Sequence, residues 1–198
     1  MKIGIDLDGV VFDSETTFRV YEELFDISKG QNKLVDRSEP KFQSRYSWTL
    51  EEQLEFHNYF LEVSKMSPLM AGFKTVYKLL REKNIELVVI TARGLTPTGE
   101  FLQVMEDDAK RILDENDIVF DKYYWKQGDK LEVALKEQLD YMIDDDYKII
   151  EKLSKNNIKT LYFRDTNLKK LEENDYIKEV NNWGDIYRII LNDLEKED

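Results

Sequence analysis

Short apolar runs alternate with amphipathic stretches along most of this chain. Buried strands are predicted for the runs with β-branched or aromatic character, at residues 2–7, 85–91, 118–120, 141–143 and 159–163. Helices are predicted where apolar residues recur every three or four positions, at residues 73–83, 100–116, 130–138, 147–155 and 183–194. Strands that alternate with helices form crossover units, so the pattern predicts an α/β fold with a parallel sheet and helices on both faces.

Residues 14–68 interrupt this alternation. They contain two amphipathic stretches, at 15–28 and at about 50–65, joined by a polar segment at 29–47 that we expect to be irregular. Ser14 is a candidate N-cap for the first of these helices.

Thr49 and Glu52 match a capping box at the start of the second helix. We therefore predict a core domain formed by residues 1–13 and 69–198. A small helical cap, residues 14–68, would be inserted after the first strand and lie over the carboxyl ends of the strands.

Composition narrows the classes of function. The chain has 198 residues, no cysteine and a formal net charge of −12. A protein this acidic, without a basic patch, does not fit a nucleic-acid polymer as partner, whereas a small phosphorylated substrate remains compatible. Lack of cysteine excludes disulfides and thiol chemistry, and no apolar run reaches membrane-spanning length. We expect a cytoplasmic protein that does not bind membranes; the sequence leaves its oligomeric state open.

Two carboxylates follow the first predicted strand. Asp6 and Asp8 are two positions apart, so both side chains can face one site, and Gly9 allows a sharp turn. Ligands of open α/β sheets bind at the carboxyl ends of strands. Two carboxylates brought together there repel unless a cation lies between them, which favours a hard divalent metal such as Mg²⁺. The alternative is an ordinary Asp-Gly turn.

A second acidic group follows the apolar run at 141–143. Asp144, Asp145 and Asp146 are consecutive, and the residues before them have the character of a buried strand. Metal coordination together with Asp6 explains this placement better than a solvated surface. Asp145 is the predicted direct ligand, and Asp144 would support the turn or a lysine.

Thr91 ends the strand at 85–91, and its hydroxyl together with the backbone N–H groups of the next turn, beginning at Ala92, suits phosphate oxygens. A simple turn cap is the alternative for Thr91. Lys130 opens the helix before the acidic strand end and is the candidate cation for a transferring phosphoryl group, with Lys126 as competitor.

These motifs, in this order, resemble the four motifs of the haloacid dehalogenase superfamily phosphatases. The segments that carry the resemblance are DLDGV at 6–10, VVIT ending at Thr91, a lysine before the next strand, and IDD at 143–145. The opening IGIDLDGVVFDS, ITAR and the DK…IDD spacing look most like the 5′(3′)-deoxyribonucleotidase branch and its bacterial nucleotidase relatives. The resemblance implies a Rossmann-like core with a cap.

The resemblance also implies residue roles. Asp6 would be the nucleophile and Asp8 the general acid and base. Thr91, Ala92 and Lys130 would bind phosphate, and Asp6, Asp8 (through its backbone carbonyl) and Asp145 would hold Mg²⁺. The implied activity is hydrolysis of a nucleoside monophosphate through an aspartyl-phosphate. Alternatives are a sugar phosphate or other small phosphomonoester as substrate, and a non-catalytic protein that binds a phosphorylated ligand.

The insertion is rich in aromatic residues that would either form its own core or stack on a base: Phe42, Tyr46, Trp48, Phe56, Tyr59 and Phe60. Tyr46 and Trp48, beside a polar loop, are the better candidates for substrate contact. Arg93 and Arg45 are further candidates, with a solvated surface role as the default. His57 is expected to be a surface or packed residue rather than a catalytic one.

Overall fold

A computed structural model describes residues 1–64 and 67–197. Its strands form a fully parallel sheet in the order β3-β2-β1-β4-β5-β6. The strand bounds are β1 Lys2–Ile5, β2 Glu86–Ile90, β3 Lys122–Tyr124, β4 Tyr141–Asp144, β5 Lys159–Phe163 and β6 Ile177–Val180. The helix bounds are α1 Ser14–Ser28, α2 Phe42–Arg45, α3 Leu50–Ser64, α4 Phe73–Glu82, α5 Gln103–Glu115, α6 Leu131–Glu137, α7 Tyr147–Ser154 and α8 Trp183–Glu197.

The sheet is covered on both faces, which confirms the predicted fold class. Along β2 the side chains alternate, so Leu87 and Val89 join one apolar cluster while Val88 and Ile90 join another. Residues of α4, α5 and α8 pack in the first cluster, and residues of α6 and α7 pack in the second. Strands buried on both sides explain why the sequence runs are continuously apolar.

Two predictions at the sheet edges are wrong. The apolar run at 118–120 is a loop, in which Ile118 and Phe120 are buried against the core and Val119 is exposed. The strand at this edge begins at Lys122, and β6 at the other edge was not predicted. Both edge strands are short and partly polar, so their apolar signal is weak.

Some helix boundaries also differ from the pattern. The helix predicted from residue 100 begins at Gln103, because Thr96, Gly99 and Glu100 form a hydrogen-bonded turn before it. The segment predicted as irregular contains the short helix α2.

The insertion begins and ends at paired backbone. Asp13 N–H donates to the Pro68 carbonyl at 2.8 Å, and Met70 N–H donates to the Val11 carbonyl at 2.7 Å. Ser14 is the first residue of α1 rather than its cap, and its hydroxyl accepts a hydrogen bond from Gly9 N–H at 3.0 Å. The side chain predicted to cap a helix therefore fixes the loop after β1.

Helix α3 of the insertion begins as predicted. Thr49 N–H donates to Glu52 Oε2 at 2.7 Å, and Glu52 N–H donates to Thr49 Oγ1 at 3.3 Å, which is the reciprocal pairing of a capping box. Its predicted end near Lys65 lies outside the described residues.

Aromatic rings form a separate apolar cluster inside the insertion. Its buried members are Phe25, Phe42, Tyr46, Trp48 and Phe56. The Phe60 side chain lies outside the described residues. None of the helices in residues 1–64 and 67–197 has the length and apolar character needed to cross a membrane.

Candidate functional site

The candidate site lies where β1, β2 and β4 end. The central strand β1 has β2 on one side and β4 on the other, so the strand order reverses direction beside it. In open α/β sheets, such a point leaves a crevice at the carboxyl ends of the strands. The predicted residues Asp6, Thr91 and Asp145 all follow closely on these strand ends.

The loop after β1 is held by its own backbone. The Leu7 carbonyl accepts hydrogen bonds from the N–H groups of Val11 and Phe12 at 2.9 and 2.8 Å. Gly9 has φ of +73°, and a Cβ atom there would lie 2.1 Å from Oδ2 of Asp145. The position needs glycine both for its left-handed backbone and for the approach of that carboxylate.

Three carboxylates meet in this crevice. Asp6, Asp144 and Asp145 each offer an oxygen, and these oxygens lie within 4.8 Å of one another. Burial raises the pKa of Asp6 to about 7; the Lys130 ammonium opposes this rise, and the Asp144 and Asp8 carboxylates add to it. Burial, with Asp144 and Asp6 nearby, also raises the pKa of Asp145 well above its usual value. The site therefore resists carrying its full negative charge without a cation.

Lys130 supplies one positive charge to this cluster. Its Nζ lies 2.9 Å from Asp6 Oδ1 and 2.7 Å from Asp144 Oδ2, and its side chain is buried. Burial alone would lower the pKa of Lys130, but the Asp144 and Asp6 carboxylates raise it above its usual value. Lys126, the competing candidate, is exposed and lies over the Phe101 ring. The structure therefore places Lys130, not Lys126, among the carboxylates.

Asp144 and Asp145 have different surroundings. Asp144 accepts hydrogen bonds from Lys130 Nζ and from Asp146 N–H, at 2.7 and 2.9 Å, so the chain itself satisfies its carboxylate. Asp145 has no hydrogen bond or ion pair with the residues that the structure describes. A half-buried carboxylate without a partner, beside the buried Asp6, fits a hard divalent cation, with Asp144 in the supporting role that the sequence predicts.

Thr91 and Ala92 line the same cavity. Thr91 Oγ1 accepts a hydrogen bond from Arg93 N–H at 3.0 Å, which leaves the hydroxyl proton free to donate. In the described part of the chain, the Ala92 N–H makes no hydrogen bond, and both residues line the cavity. These are donors of the kind that phosphate oxygens need.

Arg93 is not the solvated residue of the default prediction. Its side chain is 1% exposed and forms an ion pair with Asp8. Its Nε donates to the Met105 carbonyl at 3.2 Å, and its guanidinium lies 5.1 Å from the centroid of the Phe12 ring. Arg93 therefore holds the Asp8 carboxylate at the cavity wall, so the Asp8 side chain is separate from the acidic cluster.

A cavity of about 500 Å³ extends from these residues to the insertion, a size suited to a small metabolite. Residues of the insertion that line it are Ser14, Glu15, Phe18, Glu22, Pro40, Lys41, Phe42, Gln43, Arg45, Gln53 and His57. From the sequence, Phe42 was a possible stacking residue, Arg45 a candidate contact expected to be solvated, and His57 a surface or packed residue. Arg45 is instead buried between Glu15 and Glu22, each of which lies 2.7 Å from one guanidinium nitrogen. Polar helix positions carry no sequence signal that separates a cavity wall from a solvated face.

Tyr46 and Trp48 correct the stacking prediction. Both rings are buried, they stack on each other with centroids 4.4 Å apart, and neither lines the cavity. Trp48 Nε1 donates to Asp26 Oδ1 at 2.8 Å. These rings form the core of the insertion because its three helices have little else to bury.

Comparisons with known proteins give the fold its name. Neither a scan with protein-family models nor a search among curated proteins finds a match to this sequence. Solved structures do match: a haloacid dehalogenase-like hydrolase from Streptococcus pneumoniae has a TM-score of 0.70 at 14% identity, covering 96% of this chain and 97% of that one.

Two further solved structures match over nearly the full length of both chains. A predicted phosphoglycolate phosphatase from Haemophilus somnus has a TM-score of 0.60 at 16% identity, covering 95% of this chain and 96% of its own. A β-phosphoglucomutase from Clostridium difficile has a TM-score of 0.59 at 16% identity, covering 99% and 97%. At such low identity the likeness concerns the fold alone, and the chain has a haloacid dehalogenase-like α/β fold.

Proposed function

We propose that this chain is a Mg²⁺-dependent phosphomonoesterase that uses Asp6 as its nucleophile. One observation carries the proposal: Asp6, Lys130 and Asp145, distant in sequence, meet in a buried acidic cluster at the strand ends. Fold alone is a poor guide to function, so the proposal depends on this cluster. The haloacid dehalogenase-like hydrolases among the solved structures support it as analogy.

The carboxylates of Asp6 and Asp145, with the backbone carbonyl of Asp8, are the proposed ligands of Mg²⁺. When bound, the ion neutralises negative charge on the phosphoryl oxygens and orients them. The fit rests on the unpartnered Asp145 carboxylate and on the raised pKa of Asp6, since both favour a cation in this place.

Covalent catalysis divides the reaction into two displacements. First a carboxylate oxygen of Asp6 bonds to phosphorus while the bond from phosphorus to the leaving oxygen breaks, and Asp8 gives that oxygen a proton. Then Asp8 takes a proton from water, whose oxygen bonds to phosphorus as the Asp6 carboxylate leaves. The ion pair with Arg93 holds the Asp8 carboxylate in place for both proton transfers.

The remaining residues hold the phosphoryl group. Lys130 places its charge beside Asp6, where negative charge collects as phosphorus is attacked. The Thr91 hydroxyl and the Ala92 N–H offer further hydrogen-bond donors in the same cavity. Donors already fixed by the fold need no reorganisation during the reaction, which is the condition for effective electrostatic stabilisation.

The substrate is proposed to be a small phosphomonoester. The nucleoside monophosphate favoured by the sequence depended partly on base stacking by Tyr46 and Trp48, and both rings are buried in the insertion. A sugar phosphate needs no such ring, and one structural neighbour is named as a phosphoglucomutase. We therefore place sugar phosphates first and keep nucleoside monophosphates as the second candidate.

The test is a phosphatase screen of sugar phosphates and nucleoside monophosphates, with Mg²⁺ and with a chelator. We expect hydrolysis only with Mg²⁺, and an Asp6→Asn variant that loses about 10²-fold or more of kcat. Asp129→Asn, an exposed carboxylate paired with Lys152, is the matched control and should retain the wild-type rate. Wild-type turnover by Asp6→Asn would refute the mechanism.

A further inference from the structure

The basic side chains that line the cavity form ion pairs with carboxylates of the chain itself. Four basic side chains line it: Lys41, Arg45, Arg93 and Lys130. Among the described residues, each one is ion-paired with carboxylates that also line the cavity: Lys41 with Asp146, Arg45 with Glu15 and Glu22, Arg93 with Asp8, and Lys130 with Asp6 and Asp144. In the described part of the chain, every basic side chain that lines the cavity therefore has a carboxylate partner, and only Nη2 of the buried Arg93 lacks a hydrogen bond among their buried nitrogens.

Arg45, on the insertion side of the cavity, has a hydrogen-bond partner for each of its guanidinium nitrogens. Its side chain is 2% exposed, and its Nη1 and Nη2 donate to Glu22 and Glu15, both at 2.7 Å. Its Nε and Nη2 also donate to the carbonyls of Glu39 and Pro40, at 3.1 and 2.8 Å. Turning Arg45 toward a ligand would take the ion pair from the buried Glu22 carboxylate and one of two ion pairs from Glu15, which is costly.

The rest of the insertion wall is negative or uncharged. Glu15 and Glu22 face the cavity, and burial raises the pKa of Glu22 to about 7 even though Arg45 opposes the rise. Gln43, Gln53 and His57 also line this wall, together with further uncharged side chains of the insertion. Burial lowers the pKa of His57, which favours its neutral imidazole. Amide and imidazole groups can accept and donate hydrogen bonds to hydroxyl groups.

We propose that the substrate carries no negative charge apart from its single phosphoryl group, so that the released alcohol is neutral or cationic. This inference rests on the proposed function and narrows its substrate class. Simple sugar phosphates and nucleoside monophosphates satisfy it, whereas bisphosphates and phosphorylated carboxylic acids do not. A second anionic group would enter a wall that holds Glu15 and Glu22 without a free cation to receive it.

Of the basic residues in the cavity, Lys41 could most easily leave its ion pair and bind a second anionic group of a substrate. It is 53% exposed, and its pair with Asp146, at 3.1 Å, is open to solvent. Such exposed pairs exchange readily and contribute little. The Lys41→Ala variant is therefore measured beside the wild type.

The experiment compares matched pairs of phosphomonoesters that differ in one anionic group. We choose glycerol 3-phosphate against 3-phosphoglycerate, and ribose 5-phosphate against ribose 1,5-bisphosphate. The member of each pair without the second anionic group should have the higher kcat/KM by about tenfold or more, the effect expected of one uncompensated like-charge contact near a protein surface. Lys41→Ala should keep or increase this ratio.

A charge-gain variant tests the cause. Gln43 is exposed and lines the cavity, so Gln43→Lys adds a free cation there and should reduce the preference several-fold. Ser44→Lys is the matched control, because Ser44 is exposed on the same short helix, does not line the cavity, and receives the same charge. Its preference should equal that of the wild type.

Binding separates this inference from the proposed function. The same pairs are titrated by calorimetry into the Asp6→Asn variant with Mg²⁺, which requires no turnover, and the member with the single phosphoryl group as its only anion should bind more tightly. Equal or tighter binding of the more anionic member, or binding of neither, overturns the inference whether or not the wild type is an enzyme. Turnover of none of the phosphomonoesters, with the less anionic member still preferred in binding, refutes the enzyme and leaves the charge rule standing.

Discussion

At the scale of single residues, Asp6 shows a conflict between stability and the proposed chemistry. Its folded-state pKa of about 7 lies above the 3.8 of a solvated aspartate, because burial disfavours the charged form. As pH rises through this interval, the unfolded chain loses its proton first, so folding becomes less favourable. Stability from this group is present at low pH, is lost as pH rises from about 4 to about 7, and changes little above that interval.

The first prediction follows from this loss of stability with rising pH. Without metal, Asp6→Asn should gain free energy of unfolding relative to wild type, and the gap should grow by about 1–3 kcal/mol from about pH 5 to pH 8. Thermal denaturation at both pH values, with a chelator present, measures it. Asp114→Asn, at an exposed position of α5, is the control and should show no such growth. A gap independent of pH would contradict the assigned burial of Asp6.

Arg93 is the residue whose role the sequence concealed. An arginine after a strand is most often solvated, and nothing local indicates that its partner is Asp8, 85 positions away. Asp6, Asp8, Thr91, Lys130 and Asp145 could be identified because they form a recognisable series of motifs at strand ends. Arg93 could not, because its role depends on how two loops meet.

The second prediction treats Arg93 as a positioning residue for Asp8. Arg93→Met should lower kcat by about 10–10²-fold with little change in KM, because a misplaced acid and base affects the chemical step. In the Asp8→Asn background the same change should cost almost nothing further, since Arg93 then has no carboxylate to position. Steady-state kinetics of the two single variants and the double variant measure this. Additive losses would mean that Arg93 acts independently of Asp8.

At the scale of elements, the loop between β1 and α1 brings two strand ends together. Gly9 has φ of +73° and lies against the Asp145 carboxylate, so it needs both a left-handed backbone and an absent side chain. Gly30 has φ of +65°, and nothing lies within 4 Å of the point that a Cβ atom would occupy there. Both glycines need a left-handed backbone, but only at Gly9 would an added Cβ atom meet a neighbouring group.

The third prediction uses that difference. Gly9→Ala and Gly30→Ala should each lose about 1 kcal/mol from backbone strain, but only Gly9→Ala should displace Asp145 and weaken Mg²⁺ binding, by about tenfold or more. Denaturant unfolding gives the stabilities, and calorimetric titration with Mg²⁺ gives the affinities. Equal Mg²⁺ affinity in the two variants would argue against Asp145 as a ligand.

Sequence patterns predict the central strands of the sheet better than its edge strands. The central strands were predicted because both of their faces are buried, which leaves a continuous apolar run. At the edges the rule fails: residues 118–120 are apolar because a loop packs on the core, while Lys122–Tyr124 and Ile177–Val180 form strands with few buried side chains. An edge strand is fixed by its neighbour's hydrogen bonds rather than by its own composition.

At the scale of the whole molecule, the insertion covers the strand ends while keeping its own aromatic core. Trp48 stacks on Tyr46 and donates to Asp26, and neither ring lines the cavity. The cavity wall instead mixes polar side chains, such as Glu22, with apolar ones, of which Phe42 also belongs to the aromatic core. Tyr46 and Trp48 thus stabilise the insertion without facing a substrate.

The fourth prediction tests this role of Trp48. Trp48→Phe should lower the free energy of unfolding by about 1–3 kcal/mol, because it removes a buried hydrogen bond and leaves part of the ring volume empty. Its kcat/KM for the preferred phosphomonoester should stay within about threefold of wild type, since the ring does not line the cavity. Unfolding and kinetic measurements on the same preparation check both. A large loss of kcat/KM with little loss of stability would restore Trp48 as a substrate contact.

The central claim is that Asp6 becomes phosphorylated during turnover, and the most direct measurement traps that species. The wild-type enzyme is mixed with Mg²⁺ and its best phosphomonoester, quenched in acid within the first turnover and reduced with borohydride, which converts an acyl phosphate into the corresponding alcohol. Peptide mass spectrometry then locates the change. We predict reduction at Asp6, dependent on both substrate and Mg²⁺; turnover without modification of Asp6, or modification of another carboxylate, would contradict the mechanism.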